Sequence, residues 1–157
     1  MIARPIYLEK LIDKKWNGRI KIITGIRRSG KSTLLFDIYK DYLLNSGVSE
    51  SEIIAIALDD DINEIYRDPS EISKYVREKC ADKEKKYYVF LDEIQFAISK
   101  EEIRDKDKPI RLYSVLNGLL KLKNIDVYVT GSNSKLLSKD VMTEFRGRGD
   151  VIHVYPL

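Results

Sequence analysis

The stretch GIRRSGKS, residues 25–32, constrains the fold more than any other part of this chain. Gly25 and Gly30 stand five positions apart, and Lys31 and Ser32 follow at once, the spacing G-x-x-x-x-G-K-[ST]. Glycine reaches backbone angles closed to other residues, so a loop with this spacing can turn its N–H groups inward. Those groups, with the N-terminus of a following helix, attract phosphate oxygens. The loop therefore demands a strand before it and a helix after it. IKIIT precedes it, and residues 31–45 place Leu35, Ile38, Tyr39 and Tyr42 on one helical face. The stretch reads as a phosphate cradle built from Gly25, Ile26, Arg27, Arg28, Ser29, Gly30, Lys31, Ser32 and Thr33. Lys31 is expected to reach the β- and γ-phosphates, and the Ser32 hydroxyl to bind Mg²⁺. Arg27 and Arg28 read either as phosphate or partner contacts or as solvated loop charges.

Four further β-rich runs follow, IIAIAL at 53–58, YYVFL at 87–91, IDVYVT at 125–130 and VIHVY at 151–155. The runs at 53–58 and 87–91 are almost continuously apolar, as strands are when both faces of a parallel sheet are covered. Helical patterns fill the gaps. DPSE gives Asp68 as N-cap, Pro69 at the first helical position and Glu71 at the third. A helix near 110–122 carries Leu112, Leu116, Leu119 and Leu120, and one near 135–145 carries Leu137, Val141 and Phe145. Strands alternating with helices predict an α/β fold with a parallel sheet. The charged stretch SKEEIRDKDKP, 99–109, reads as a solvated loop or short polar insertion.

YYVFLDEIQ decides whether a bound nucleotide is only held or also cut. A strand ending at the cradle would deliver Asp92 to the Mg²⁺ shell. Glu93 would then stand where an attacking water is oriented and relieved of a proton. A nucleotide kinase has no use for such a water, so the adjacent acids favour hydrolysis. VYVTGSNS, 127–134, ends another strand on the same sheet edge, where ligands bind. Ser132 and Asn133 are candidates for sensing the γ-phosphate or placing the water, Asn133 before Ser132, with a turn residue bonded to its own backbone as the alternative.

Composition bounds the remaining classes. At 157 residues one domain is expected, and the net charge of +3, from 28 basic and 25 acidic residues, gives no overall nucleic-acid footprint, although a local patch stays open. No apolar run is long enough for a membrane span, and MIARPIYLEK lacks the apolar core of a signal peptide, so a cytoplasmic location is expected with no membrane partner. The single cysteine, Cys80, excludes an internal disulfide and reads as helix packing. His153, without ligating neighbours in register, does not read as a metal ligand. Tyr7 and Arg4 precede the first strand and are candidates for an adenine contact.

TGIRRSGKST, VFLDEIQ, YVTGSNSKLLS and FRGRGDVIHVYPL occur in that order. From about residue 4 to its end the chain resembles a bacterial or archaeal ATPase family of the AAA superfamily, whose members join an N-terminal ATPase core to a C-terminal domain. The resemblance implies a P-loop NTPase three-layer sandwich: a central parallel five-stranded sheet, order 5-1-4-3-2, with helices on both faces. It implies Lys31, Ser32, Asp92 and Glu93 in the roles above, and a polar sensor at the end of the fourth strand. AAA-type ATPases often place an arginine before the last strand that reaches a neighbouring subunit's nucleotide. Arg146 and Arg148 match by position, as against an ordinary tight connection, and a homo-oligomer would follow. The chain departs from the family in its longer segment 99–109 and in stopping at VYPL, where members continue. Residues 1–157 are therefore expected to be the ATPase core of a longer protein, weakly active alone.

The reading is thus an ATP- and Mg²⁺-dependent core that hydrolyses ATP and drives a change in a missing domain or a partner, protein or nucleic acid. A nucleotide-gated binding switch with negligible turnover is the alternative, and a small-molecule kinase the third.

Overall fold

The computed structural model describes residues 5–25, 30–105, 107–132 and 149–155. Among them are the strands β1 (Ile20–Gly25), β2 (Ile53–Ala57), β3 (Tyr87–Asp92), β4 (Ile125–Ser132) and β5 (Gly149–His153). All neighbours pair in parallel, in the spatial order β2-β3-β4-β1-β5, which read from the other edge is 5-1-4-3-2. The last strand begins at Gly149, earlier than the apolar run suggests, because Ile20 pairs with Gly149 and draws the polar start of the segment into the sheet.

Alternation along the central strands feeds two separate cores. Val89 and Leu91 of β3 and Val127 and Val129 of β4 enter one, while Tyr88, Phe90 and Tyr128 enter the other. Helices α4 (Pro69–Lys79) and α6 (Arg111–Leu120) cover the first face with Ile72, Val76, Leu112, Leu116 and Leu119. Helix α1 (Pro5–Lys14) and the helix after the glycine loop cover the second. The three layers follow from this division, and each fully buried Leu or Ile contributes about 1.5–3 kcal/mol of transfer free energy.

The helix after the loop is continuous but not uniform. It opens as α2 (Lys31–Thr33), passes through a π-helical segment, Leu34–Tyr39, and ends as α3 (Lys40–Asn45). The wider π turn shifts the buried stripe, so that Leu34, Leu35, Tyr39 and Leu43 are fully buried. Ile38 and Tyr42, expected on that face, are only half-buried.

Two other expectations need correction. β2 is an edge strand, so Ile54 and Ile56 are buried but Ala55 faces solvent. Its apolar run does not report cover on both faces. The stretch 99–109 is not merely solvated polar chain: it contains α5 (Lys100–Arg104). Ser99 and Glu102 form a capping box there, with Glu102 N donating to Ser99 Oγ at 3.1 Å and Ser99 N donating to Glu102 Oε1 at 2.9 Å. Glu102 Oε2 also accepts the N–H of Arg111 at 2.8 Å. Helix α6 has Ile110 at its N-cap, which carries no oxygen to satisfy that donor, so the α5 carboxylate replaces a local cap. Burial alone would raise the Glu102 pKa, but the hydrogen bonds from Ser99 and Arg111 outweigh it and hold the carboxyl below its ordinary value.

Other local expectations hold. Asp68 caps α4, accepting from Ser70 N at 2.9 Å with Pro69 following. Cys80 closes that helix, buried in the first core, and burial pushes its thiol up to about 11. Tyr7 Oη accepts the N–H of Tyr155 at 3.1 Å, tying α1 to the segment after β5. Arg4 and the expected helix 135–145 lie outside the described residues.

Near the N-terminal ends of the strands lies a buried ion pair that periodicity did not suggest. Lys21 Nζ meets Asp126 Oδ1 at 2.5 Å, with side chains 0% and 3% exposed. Asp126 Oδ2 accepts from Trp16 N at 2.9 Å and from Tyr128 Oη at 2.6 Å, and Tyr128 Oη contacts Tyr39 Oη at 2.5 Å. Burial lowers the Lys21 pKa, with Asp126 acting in the opposite direction.

Candidate functional site

Parallel pairing brings the C-terminal ends of β1, β3 and β4 to one edge. Gly25 stands beside Ser132, and Ala57 beside Asp92. Gly30 has φ +93°, a left-handed conformation open to glycine at little cost, and its carbonyl accepts the N–H of Leu34 at 2.9 Å. Gly30 thus turns the chain into the helix, putting Lys31, Ser32 and Thr33 in its first turn.

Two side chains converge on Asp92, which is 4% exposed. The Ser32 hydroxyl lies 2.9 Å from Oδ1 and 2.8 Å from Oδ2. The Thr130 hydroxyl of β4 donates to Oδ1 at 2.6 Å. Burial raises the Asp92 pKa, the Thr130 and Ser32 hydrogen bonds work against it, and the neighbouring Glu93 adds to the rise. Lys31 Nζ is 3.7 Å from Glu93 Oε1, with the lysine 5% and the glutamate 19% exposed.

Glu93 has φ +58° and ψ +57°, unusual for a residue with a Cβ and costing about 1–3 kcal/mol. The surroundings hold it there. Its N–H donates to Thr130 Oγ1 at 2.9 Å, and its Oε2 accepts from Gln95 Nε2 at 3.0 Å. One threonine hydroxyl therefore fixes the Asp92 carboxylate and the Glu93 backbone together. Asp92 meets Ser32 and Glu93 meets Lys31, so both acids face the first turn of the same helix.

Lys31, Ser32, Asp92 and Glu93 are brought together as the motifs suggest. Ser132 ends β4 and is half-buried. Ile26, Arg27, Arg28, Ser29, Asn133, Arg146 and Arg148 lie outside the described residues. His153 sits on β5, with Nδ1 3.4 Å from Thr24 Oγ1. Sequence reasoning passed over Thr130 and Gln95. Thr130 was visible as a hydroxyl inside an apolar strand and Gln95 as the amide two positions after the second acid, but neither spacing identified a partner.

The donor set fits a hard divalent cation. A buried carboxylate and a serine hydroxyl are oxygen ligands, and Mg²⁺ is usually held by one or two protein groups with substrate phosphates and water. No cluster of three or more His, Cys, Asp or Glu side chains able to cage a metal occurs among the described residues.

The sheet order, the loop that opens a helix, and the strand-end carboxylate facing that helix define an α/β P-loop fold. The chain belongs to the AAA domain family, whose model matches residues 17–157, and is an AAA-superfamily P-loop ATPase domain. It is 35% identical over its whole length to an uncharacterized protein of Haemophilus influenzae, of which it covers 36%. It is 34% identical to an uncharacterized protein of Methanocaldococcus jannaschii, again over its whole length and covering 30% of that protein. The chain thus spans about a third of the length of these curated relatives. Among solved structures it resembles PCH-2 of C. elegans, with a TM-score of 0.61 and 16% identity over 98% of this chain and 40% of that one. It also resembles AMPPCP-bound DnaA from Aquifex aeolicus, with a TM-score of 0.56 and 18% identity over 94% of this chain and 43% of that one. Likeness at such identities speaks for the fold. No helix among the described residues is long and apolar enough to cross a membrane.

Proposed function

We propose that this domain binds ATP with Mg²⁺ and hydrolyses it, coupling the cycle to a change in a further domain or a partner. The observation that carries the reading is the convergence of Ser32, from the helix after the loop, on Asp92, from the end of β3, with Lys31 and Glu93 alongside. The AMPPCP held by DnaA, a structure of similar fold, supports the choice of nucleotide. Ser32 and Asp92 would hold the cation, which when bound neutralises phosphate charge. Lys31 would draw charge from the β- and γ-phosphates. Glu93 would orient a water and accept its proton, with Thr130 and Gln95 fixing where its carboxylate starts. Arg146 and Arg148 are proposed to complete the site of a neighbouring copy.

The nucleotide-gated switch stays as a second reading because Glu93 is engaged by both Lys31 and Gln95. A domain that keeps that engagement with ATP bound would hold nucleotide without cutting it. Two measurements separate the readings. Calorimetric titration of Lys31→Ala with ATP and Mg²⁺ should show affinity lowered by about 1.5–3 kcal/mol, the value of a charge-assisted contact. Glu93→Gln should bind ATP as wild type does while phosphate release falls about 10²–10⁴-fold, the usual range for a general base. Equal ATP affinity in Lys31→Ala and wild type would remove the nucleotide-binding reading. Binding without turnover in the wild type would select the switch.

A further inference from the structure

At the edge of the sheet opposite the loop is a groove of about 430 Å³. Its walls are the turn before β3 and the turn before β4. Lys83, Lys85, Lys86, Lys121 and Lys123 line it, against the single acid Glu84. That surplus of four positive charges exceeds the net charge of +3 of the whole chain, so basic charge is concentrated here. All five lysines are exposed. None of them is within ion-pair distance of a carboxylate among the described residues.

Hydrogen bonds hold the groove in shape. Asn124, 8% exposed, donates through Nδ2 to Cys80 O at 3.0 Å and Asp82 O at 3.3 Å, binding one wall to the other. Tyr87 N donates to Asn124 O at 2.8 Å, and Glu84 N to Asp82 Oδ1 at 3.0 Å. Lys86 Nζ rests 5.2 Å from the centre of the Trp16 ring. The backbone carrying the lysines is therefore set before a ligand arrives. Clustered like charges repel, and a fixed cluster of this sign lowers its energy by taking up an anion.

We propose that this groove binds the phosphodiester backbone of a nucleic-acid strand. The lining favours that partner over an acidic protein surface. Protein interfaces draw most of their energy from aromatic, arginine or aliphatic anchors seated in pockets. No lining residue is an arginine or an aromatic, and the one apolar member, Leu122, is half-buried in the first core. What remains is a row of point charges, which matches a partner offering regularly spaced phosphates and is indifferent to base sequence. β3 is six residues long, so the groove lies roughly 17 Å along the strand from Asp92, at about 3.3 Å per residue, and is separate from the nucleotide site.

The test uses the 157-residue chain and fluorescence anisotropy with a labelled oligothymidine, its duplex, an oligouridine, a polyglutamate peptide and anionic phospholipid vesicles. Binding of the oligonucleotides should fall with salt, with a log–log slope near −3.5 for single strands or −4.5 for duplex if all five lysines engage, at about 0.7 and 0.9 per phosphate. Changing Lys83, Lys85, Lys121 and Lys123 together to Ala should make the slope shallower by about 0.7 per lysine for single strands and about 0.9 for duplex, and weaken all oligonucleotide sequences alike. A variant with Lys10, Lys74, Lys100 and Lys108 changed to Ala has the same net charge and should bind as wild type does. Thermal melting checks that both variants fold. Lys31→Ala, or saturation with ATP, should leave oligonucleotide binding in place, so this result stands apart from the nucleotide-site reading. The proposal is overturned if oligonucleotides fail to bind at low salt, if the two quadruple variants behave alike, or if polyglutamate or vesicles depend on these lysines and oligonucleotides do not.

Discussion

Replacing Thr130 with valine tests whether one hydroxyl holds the site together. Valine matches threonine in shape but lacks the oxygen. It removes the 2.6 Å donation to Asp92 and leaves the Glu93 N–H, which the hydroxyl accepted at 2.9 Å, without a partner. Thr130 is fully buried, so water does not replace the lost group freely. A hydrogen bond to a charged group is worth about 1.5–3 kcal/mol, and an orphaned buried donor costs about 1–3. The two effects share an atom and do not simply add, so about 2–4 kcal/mol is expected, against a total stability of about 5–15 for such a domain. Thr130→Ser keeps the hydroxyl and loses one methyl group, costing about 0.5–1.5 kcal/mol by comparison with Ile→Val. The closer shape mimic should therefore be the less stable protein. Urea unfolding measures this, since a slope of about 1–3 kcal/mol/M turns the Val loss into a midpoint drop of roughly 0.7–4 M. The Val penalty should also shrink as pH falls through the raised Asp92 range, because a protonated carboxyl no longer needs the donor. A valine variant as stable as the serine variant at neutral pH would refute the reasoning.

Other perturbations reach other parts of the molecule. Asp126→Asn leaves the Lys21 ammonium buried without its carboxylate, and should cost about 3–5 kcal/mol in denaturant unfolding; Lys21→Met in that background should recover part of the loss. Glu102 is held below its ordinary carboxyl range, so its contribution is full above that range and is lost as pH falls through the lowered folded value. Glu102→Gln should lower stability at neutral pH and flatten the acid limb of the stability–pH curve. If Arg146 and Arg148 act in trans, the chain with both changed to Ala, mixed with Lys31→Ala, should recover ATPase activity that neither has alone. An arginine supplied in this way is worth about 10³–10⁵ in rate, and wild-type turnover by the double-arginine variant at every concentration would assign these residues to an ordinary connection.

Local chemistry made much of this protein legible before folding was considered. The loop at 25–32 named Lys31 and Ser32 because only glycine spacing and a helix start build a phosphate cradle. YYVFLDEIQ named Asp92 and Glu93 because an apolar run that stops at an acid marks a strand end. Asp68 and Pro69 announced α4, and the S-x-x-E pattern at Ser99 and Glu102 was there to be read as the start of α5. What the sequence could not carry was pairing between distant segments. Thr130 acts on Asp92 and Glu93 only because β4 lies beside β3. Ala55 faces solvent only because β2 is at the edge, and Glu102 caps α6 only because α5 packs before it. The five groove lysines are scattered over 83–123, and their charge becomes a surface feature only where parallel strands start side by side. Periodicity reports which face of an element is apolar, whereas sheet order and register decide what that face and its ends meet.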